Sequence, residues 1–248
     1  MEELASDLLK IAKDDLDACE IMYDKKKYAK SINFLQQSVE KASKAYAIYF
    51  GNFSKKEIKN INHNSPDAFV RLSEKMSGYV DIIHSIYPDM NTDMTDLKNI
   101  LKDDKKYLEM AKADYKAFQV IFNMYDNIIQ AFSEKMEDVY SLVQGVSLQN
   151  TLKEGLQRVS DDISDYVDGK NNKKIIEHYC DIEGIKESLK DAIDFSMLFI
   201  IAGFTFPHAR YTRYPDNELK PFDYTMDLGI VKATPELITH LKRIIDKI

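Results

Sequence analysis

The stretch from Tyr28 to Phe50 reads YAKSINFLQQSVEKASKAYAIYF and decides the fold class. Its apolar residues recur at alternating steps of four and three, which is the spacing of one face of an α-helix. The stripe consists of Leu35, Val39, Ala42, Tyr46 and Tyr49. The stretch before it, from Glu3 to Asp24, has the same spacing, and Lys25-Lys26-Lys27 joins the two. Together they predict an antiparallel helical hairpin.

The composition extends this prediction to the rest of the chain. The 248 residues include only 8 Gly and 6 Pro, with 44% hydrophobic and 30% charged residues. This balance is typical of a folded protein built from helices with short connections, and we therefore predict an all-α, up-and-down helical bundle. The net charge of −7 disfavours a broad basic surface for long nucleic acid, since phosphate neutralisation supplies much of that affinity.

Targeting and cofactor signals are absent from the sequence. The first residues, Met1 to Leu4, are acidic and lack the layout of a signal peptide. The longest apolar stretch, residues 195–206, is shorter than the roughly 20 residues that span a bilayer. Cys19 and Cys180 are too few and too far apart for a disulfide framework or a metal motif. We expect a cytoplasmic protein with no membrane span, no metal and no cofactor.

Four further segments carry predictions. A heptad stripe of aromatic and apolar residues from Ala111 to Val143 predicts a single helix roughly 50 Å long. Residues 203–228 hold three Pro and are typical of an ordered loop. Thr234-Pro235-Glu236 predicts the start of the last helix, because a Thr cap followed by Pro suits a first turn. Residues 54–64 are expected to form a linker with room for a short helical turn.

The densest group of functional residue types lies between residues 208 and 216. It reads His208-Ala209-Arg210-Tyr211-Thr212-Arg213-Tyr214-Pro215-Asp216. Two guanidinium groups can bind phosphate or carboxylate in bidentate fashion, and two Tyr rings can stack on a base. The imidazole can act as acid, base or donor. The alternative is an ordered loop in which the second Arg pairs with the Asp and the Tyr rings cover the core.

Two other places are candidates on sequence grounds. His63 lies just before a helix start at Ser65-Pro66-Asp67, where unpaired N–H groups favour an anion, although a capping or solvent-facing His is the more common occurrence at such a position. The adjacent Gln36 and Gln37 place at least one amide near the buried stripe. A buried amide needs partners, and the pair therefore predicts a hydrogen-bond network or a polar interface.

The stretch Gln36-Gln37-Ser38-Val39-Glu40-Lys41-Ala42, with the helix before it, resembles the first two helices of HEPN domain proteins. Arg213-Tyr214-Pro215-Asp216 resembles the arginine-tyrosine-proline-aspartate loop of the same family, and His63 lies where many members carry a His. The resemblance covers about residues 4–78 and 200–248. It implies a HEPN-like bundle of residues 1–78 and 200–248, commonly dimeric, with residues 79–199 as a helical insertion.

The resemblance implies a binding module for a nucleotide or short RNA, and one branch of the family works as accessory subunit to a small nucleotidyltransferase. Its ligand contacts would come from a cationic, aromatic and acidic set: Lys41, Arg210, Tyr211, Arg213, Tyr214 and Asp216. Many members are instead RNA-cutting toxins with a His four to six residues after an Arg, a pattern that this sequence lacks. A metal-independent ribonuclease would therefore use a non-standard set with His208 or His63. The third alternative is a non-catalytic, antitoxin-like interaction protein.

Overall fold

The described parts of the chain are helical, which confirms the all-α prediction. The computed structural model describes residues 1–51, 53–61, 68, 71, 104–127, 130, 182–215 and 218–248. The helices are α1 (Glu2–Asp24), α2 (Tyr28–Gly51), α3 (Lys55–Ile61), α4 (Asp104–Ala111), α5 (Ile182–Thr205), α6 (His208–Tyr211) and α7 (Gly229–Ile245). Residues 115–127 are also helical, and Pro221–Asp223 form a 3₁₀ turn. Within these ranges no helix is long and apolar enough to cross a bilayer.

The predicted hairpin of α1 and α2 is confirmed, and its turn has a defined hydrogen-bond pattern. The N–H of Lys27 donates to the carbonyl of Met22, and the N–H of Lys26 donates to that of Tyr23, both at 2.8 Å. Lys26 has a φ of 56°, in the left-handed region that this helix-ending motif requires. The motif satisfies the last carbonyls of α1 and directs the chain straight into α2.

Small residues and two hydroxyl bonds hold the hairpin together. The buried face of α1 consists of Ala5, Leu9, Ala12, Leu16 and Cys19. Across from it, Ser38 Oγ donates to the Ala12 carbonyl at 2.7 Å, and Ser31 Oγ donates to the Cys19 carbonyl at 2.9 Å. The short side chains let the two backbones approach closely enough for these bonds. Between Tyr28 and Ile48 only Lys30 is exposed, so α2 is the central helix of the bundle.

Helix α7 closes the bundle by packing on α1, α2 and α5. The prediction that it starts at Thr234 is wrong, because the helix begins at Gly229 and contains Pro235 in its interior. The Thr234 side chain is buried and its Oγ1 donates to the Ile230 carbonyl at 2.8 Å, so it bonds within the helix instead of capping it. Residues 203–228, predicted as loop, include the end of α5, α6 and the 3₁₀ turn.

The predicted long helix from Ala111 is interrupted at its start. Helix α4 ends at Ala111, residues 112–114 form a turn, and the next helix begins at 115. Asp114 caps that helix by accepting a hydrogen bond from the Ala117 N–H at 3.0 Å. The aromatic positions Phe118, Phe122 and Tyr125 are buried, as the stripe predicted. The rest of the stripe as far as Val143 lies outside the described residues.

The linker predicted at residues 54–64 contains α3. Ser54 and Glu57 form a capping box, in which the Ser54 N–H donates to Glu57 Oε2 at 2.8 Å and the Glu57 N–H donates to Ser54 Oγ at 3.3 Å. Helix α5 continues from residue 182 to residue 205 and so runs across the boundary at 199–200. The division into a bundle and an insertion stays a prediction.

Candidate functional site

The candidate segment begins where α5 ends. Thr205 Oγ1 donates to the Ile201 carbonyl at 2.8 Å, and α6 follows directly from Pro207. The path stays helical beyond α6, because the N–H groups of Arg213 and Tyr214 both donate to the Arg210 carbonyl, at 3.1 and 3.2 Å. The two Arg residues are therefore one turn apart on a path that starts from a buried helix.

A contact with α2 fixes the position of Arg213. Its Nε donates to Asn33 Oδ1 at 2.8 Å, and Thr212 Oγ1 lies 3.5 Å from the same oxygen. Thr212 Oγ1 also donates to the His208 carbonyl at 2.6 Å. Arg213 is exposed. One donor of its guanidinium group is thus bonded to α2, the central helix, and this bond orients the group at the surface.

The other members of the segment differ in their access to solvent. Tyr214 is 68% exposed and Arg210 is exposed, whereas Tyr211 is only 6% exposed. Arg210 Cζ lies 5.9 Å from the centre of the Tyr211 ring. Of the two Tyr rings predicted to stack on a base, the structure therefore offers Tyr214 to solvent and packs Tyr211 into the core.

His208 is fully buried. Its Nδ1 lies 2.7 Å from the hydroxyl of Tyr224, and its Nε2 is buried and has no hydrogen-bond partner. Burial lowers the pKa of His208 to about 3, so the ring is neutral at pH 7. A neutral, enclosed imidazole joins two parts of the core and has no surface at which to exchange a proton with a substrate. We therefore leave it out of the candidate site.

Lys41 belongs to a polar row on α2. Its Nζ lies 2.7 Å from Asp15 Oδ2 and donates to Gln37 Oε1 at 3.1 Å. Gln37 Nε2 in turn donates to Gln36 Oε1 at 3.1 Å. This confirms the hydrogen-bond network predicted from the Gln pair. Asn33, Gln37 and Lys41 are spaced by four residues and so share one face of α2, with the Arg213 contact at one end.

A comparison with protein families bears on this helix. Residues 5–114 match the HEPN domain. The match covers a little under half of the chain and confirms the resemblance for this part. It includes α1 to α4, with Asn33 and Lys41, and stops before the 208–216 segment. Comparisons with curated proteins and with solved structures found no match.

Two of the candidate residues have no described position in the structure. His63 and Asp216 both lie outside the described residues.

Asn33 is the residue that sequence reasoning missed. The signal was its position four residues before Gln37, which puts it on the polar face of α2, but only the folded chain shows that Arg213 bonds to it.

A second polar group lies away from this site and joins three helices. Sequence reasoning missed it as well. Asp194 on α5 accepts hydrogen bonds from the Tyr125 hydroxyl at 2.7 Å and from Lys247 Nζ at 2.5 Å. The guanidinium of Arg243 lies over the Tyr125 ring at 4.8 Å, and its Nη2 lies 3.2 Å from His240 Nδ1. Burial, followed by the charge of Arg243, lowers the pKa of His240. These contacts fasten α7 to its neighbours.

Proposed function

We propose that this chain is a HEPN-like binding protein for a nucleotide or a short RNA. Arg210 and Arg213 bind the phosphate, and Tyr214 stacks on a base. The observation that carries the proposal is the bond from Arg213 Nε to Asn33 Oδ1, which holds an exposed guanidinium in place. A group already oriented by the protein loses less conformational entropy when it binds an anion.

The charge distribution favours a short ligand. The chain carries a net charge of −7, so a long polyanion would be repelled by most of the surface. Two Arg side chains one helical turn apart supply a local positive field, and guanidinium groups match the geometry of phosphate oxygens. The exposed ring of Tyr214 supports base stacking beside them, which is sequence-tolerant because every base has a π-face.

Lys41 is the candidate for a second phosphate. It lies eight residues from Asn33 on α2, which corresponds to about 12 Å along the helix. Its ammonium group is paired with Asp15 at 2.7 Å, so a phosphate would have to compete with that carboxylate. Within the proposal, a mononucleotide uses the two Arg residues alone, and a short RNA extends along the polar row of α2.

The proposal includes a protein partner. The HEPN resemblance supports a homodimer that works as accessory subunit to a small nucleotidyltransferase. Co-expression with a candidate nucleotidyltransferase, followed by size-exclusion chromatography, tests this part separately from ligand binding.

The test of ligand binding is a thermal-shift titration with mononucleotides, dinucleotides and short RNAs. A ligand that binds only the folded state raises its stability by roughly 2.7 kcal/mol at a hundred times its Kd. We expect wild type to show this rise, and Arg213→Ala to bind about 10- to 100-fold more weakly, as expected for the loss of a charged hydrogen bond. Tyr214→Ala should also weaken binding, whereas Tyr214→Phe should retain it.

Two controls make the result specific. Lys232 is exposed on α7, so Lys232→Ala removes one positive charge from a different surface and should leave the titration unchanged. The RNAs are run on a gel afterwards, and they should be intact. If wild type cleaves the RNAs and Arg213→Ala does not, the function is RNA cleavage and not binding alone. Equal stabilisation of wild type and Arg213→Ala, or none with any ligand, would contradict the proposal.

A further inference from the structure

Two tyrosine rings lie on either side of the turn between α1 and α2, and the proposed ligand site does not use them. The ring centres of Tyr23 and Tyr28 are 5.4 Å apart, and the ring planes meet at an angle of 63°. Both side chains are half-buried, so each ring keeps part of its surface open to solvent. Rings set at this angle form two adjoining aromatic walls.

The register of α7 against α1 brings a carboxylate to these walls. Two ion pairs show that the helices run antiparallel, Lys13 with Asp246 at 2.8 Å and Glu20 with Lys242 at 2.7 Å. Glu236 precedes Lys242 by six residues, or about 9 Å of helix, which places it beside the end of α1. Its charge acts on Tyr23, because the pKa of Tyr23 is raised by burial, by Tyr28 and by Glu236.

A third tyrosine is bonded to the same carboxylate. The Tyr115 hydroxyl donates to Glu236 Oε1 at 2.5 Å, and this bond is the largest of the causes that raise the pKa of Tyr115. The backbone nitrogen of Tyr115 lies 2.9 Å from the place where a Cβ atom of Gly229 would be. Three residues earlier in the chain, Met226 Sδ lies 3.8 Å from the Tyr23 hydroxyl. These contacts place Tyr115 and Met226 on the same small surface as the tyrosines of the hairpin.

We call Tyr23, Tyr28, Tyr115, Met226 and Glu236 the tyrosine cluster. The faces of its rings carry negative charge density and attract cations, and the thioether of the methionine is polarizable. In the part of the chain that the structure describes, Glu236 bonds to Tyr115 and forms no ion pair with a Lys or Arg. The cluster thus combines aromatic surface with a carboxylate that lacks a cationic partner there, which favours a cation with an apolar exterior.

We propose that the tyrosine cluster binds an alkylated ammonium group, such as that of choline. The methyl groups of this ion pack on the rings and on Met226, and Glu236 supplies the opposite charge. A primary ammonium fits less well, because it is compact and strongly hydrated and would have to give up bound water. Since the rings are half-exposed, the contact is weak, and we expect a Kd on the order of 1 mM. The site goes beyond nucleotide binding and requires neither Arg210 nor Arg213.

The test is an NMR titration that follows the N-methyl protons of choline. Aromatic ring currents shift protons that lie over a ring face upfield, so wild type should shift and broaden this signal. The matched ligand is the neutral analogue of choline in which carbon replaces nitrogen, and it should bind about fivefold or more weakly. A short peptide that contains trimethyllysine is titrated in parallel. Tighter binding of the peptide assigns the group to a protein side chain, and equal or tighter binding of choline assigns it to a free small molecule.

Variants locate the site within the molecule. Tyr23→Leu and Glu236→Gln should each weaken choline binding by about fivefold or more, because one removes an aromatic wall and the other removes the charge. Glu236→Gln keeps an oxygen that can accept the Tyr115 hydroxyl, so its circular dichroism spectrum and unfolding midpoint should match those of wild type. Tyr49→Leu makes the same aromatic deletion at a ring that is 37% exposed near the other end of α2, and this control should bind choline as wild type does.

The same variants separate this site from the nucleotide site. Arg213→Ala should bind choline as wild type does, and Tyr23→Leu should leave the thermal shift with nucleotides unchanged. The proposal is overturned by an N-methyl signal that wild type leaves unchanged, or by choline that binds no more tightly than its neutral analogue. Equal binding of choline by wild type and Tyr23→Leu, or by wild type and Glu236→Gln, would overturn it as well.

Discussion

At the scale of single residues, the buried His208 makes stability depend on pH. Its pKa is about 3 in the folded protein and about 6.5 in an unfolded chain. Between these values the unfolded chain binds a proton that the folded protein does not. The free energy of unfolding therefore falls as the pH decreases from 6.5 towards 3, by about 1.4 kcal/mol per pH unit from this group. Above pH 6.5 the contribution is constant.

The comparison of wild type with His208→Asn isolates this contribution. Asn places a hydrogen-bonding atom near the position of Nδ1, next to the Tyr224 hydroxyl, but does not titrate. We expect the variant to be less stable at pH 7 and to lose less stability than wild type on going from pH 6.5 to pH 5. Urea denaturation at each pH measures both slopes. Equal slopes would show that His208 is not the titrating group.

The sequence revealed the exposed members of the candidate site better than the buried one. Arg210, Arg213 and Tyr214 were identified by side-chain chemistry, which does not depend on the fold. The burial of His208 depends on Tyr224, sixteen residues later, and on the packing of α6 against α2. No local pattern encodes a contact of that kind, so the same rule that found the Arg residues also selected an enclosed His.

At the scale of elements, the start of α7 depends on a glycine. A Cβ atom at Gly229 would lie 2.1 Å from the Ala113 carbonyl oxygen and 2.7 Å from the Asp114 carbonyl carbon. Both are backbone atoms of the turn between α4 and the 115–127 helix, so neither can move alone. We expect Gly229→Ala to lower the free energy of unfolding by about 3 kcal/mol, at the upper end of the usual overpacking cost.

Gly203 in α5 is the matched control. A Cβ there would meet only Met110 Cε at 3.8 Å, an ordinary van der Waals distance. Gly203→Ala should therefore stabilise the protein by about 0.5–1 kcal/mol, since Ala is the better helix former. Chemical denaturation of the two variants should give opposite signs. A neutral Gly229→Ala would mean that the 112–114 turn can shift away from α7.

Helix bounds were predictable where caps and periodicity agreed. The sequence placed α1 and α2 within one residue of their observed ends, because Lys25-Lys26-Lys27 separates two clear stripes. It misplaced the start of α7, since Thr234-Pro235 has the form of a cap while the apolar residues Ile230 and Val231 before it are needed in the core. Tertiary burial outweighed the local signal there, whereas the break after Ala111 has a local signal that was overlooked, the Asp114 cap of the next helix.

At the scale of the whole molecule, the bonds of Asp194 hold three helices together. Its side chain is 5% exposed, and its partners are Lys247 and Tyr125. Lys247→Met removes the cation and leaves a buried carboxylate with one hydroxyl partner. We expect a loss of about 1–3 kcal/mol in the free energy of unfolding, which is the range for a buried polar group that loses a partner.

An exposed ion pair on the same helix end provides the comparison. Lys13 and Asp246 lie 2.8 Å apart, with side chains 51% and 68% exposed. Lys13→Met should cost less than about 0.5 kcal/mol, because solvent screens exposed pairs. Denaturant titrations of both variants measure the difference. Equal losses would contradict the importance that we assign to burial at Asp194.

The packing of α7 against α1 has a consequence for the protein during its synthesis. Lys242 of α7 donates a hydrogen bond to Glu20 of α1. Residues 52–228, however, are translated between the hairpin and α7. At roughly 5–20 residues per second, the finished hairpin waits on the order of ten seconds or more before its covering helix leaves the ribosome. Throughout that interval an apolar face of the hairpin is open to water. Chaperones that bind nascent chains are therefore expected to act on residues 2–51 first.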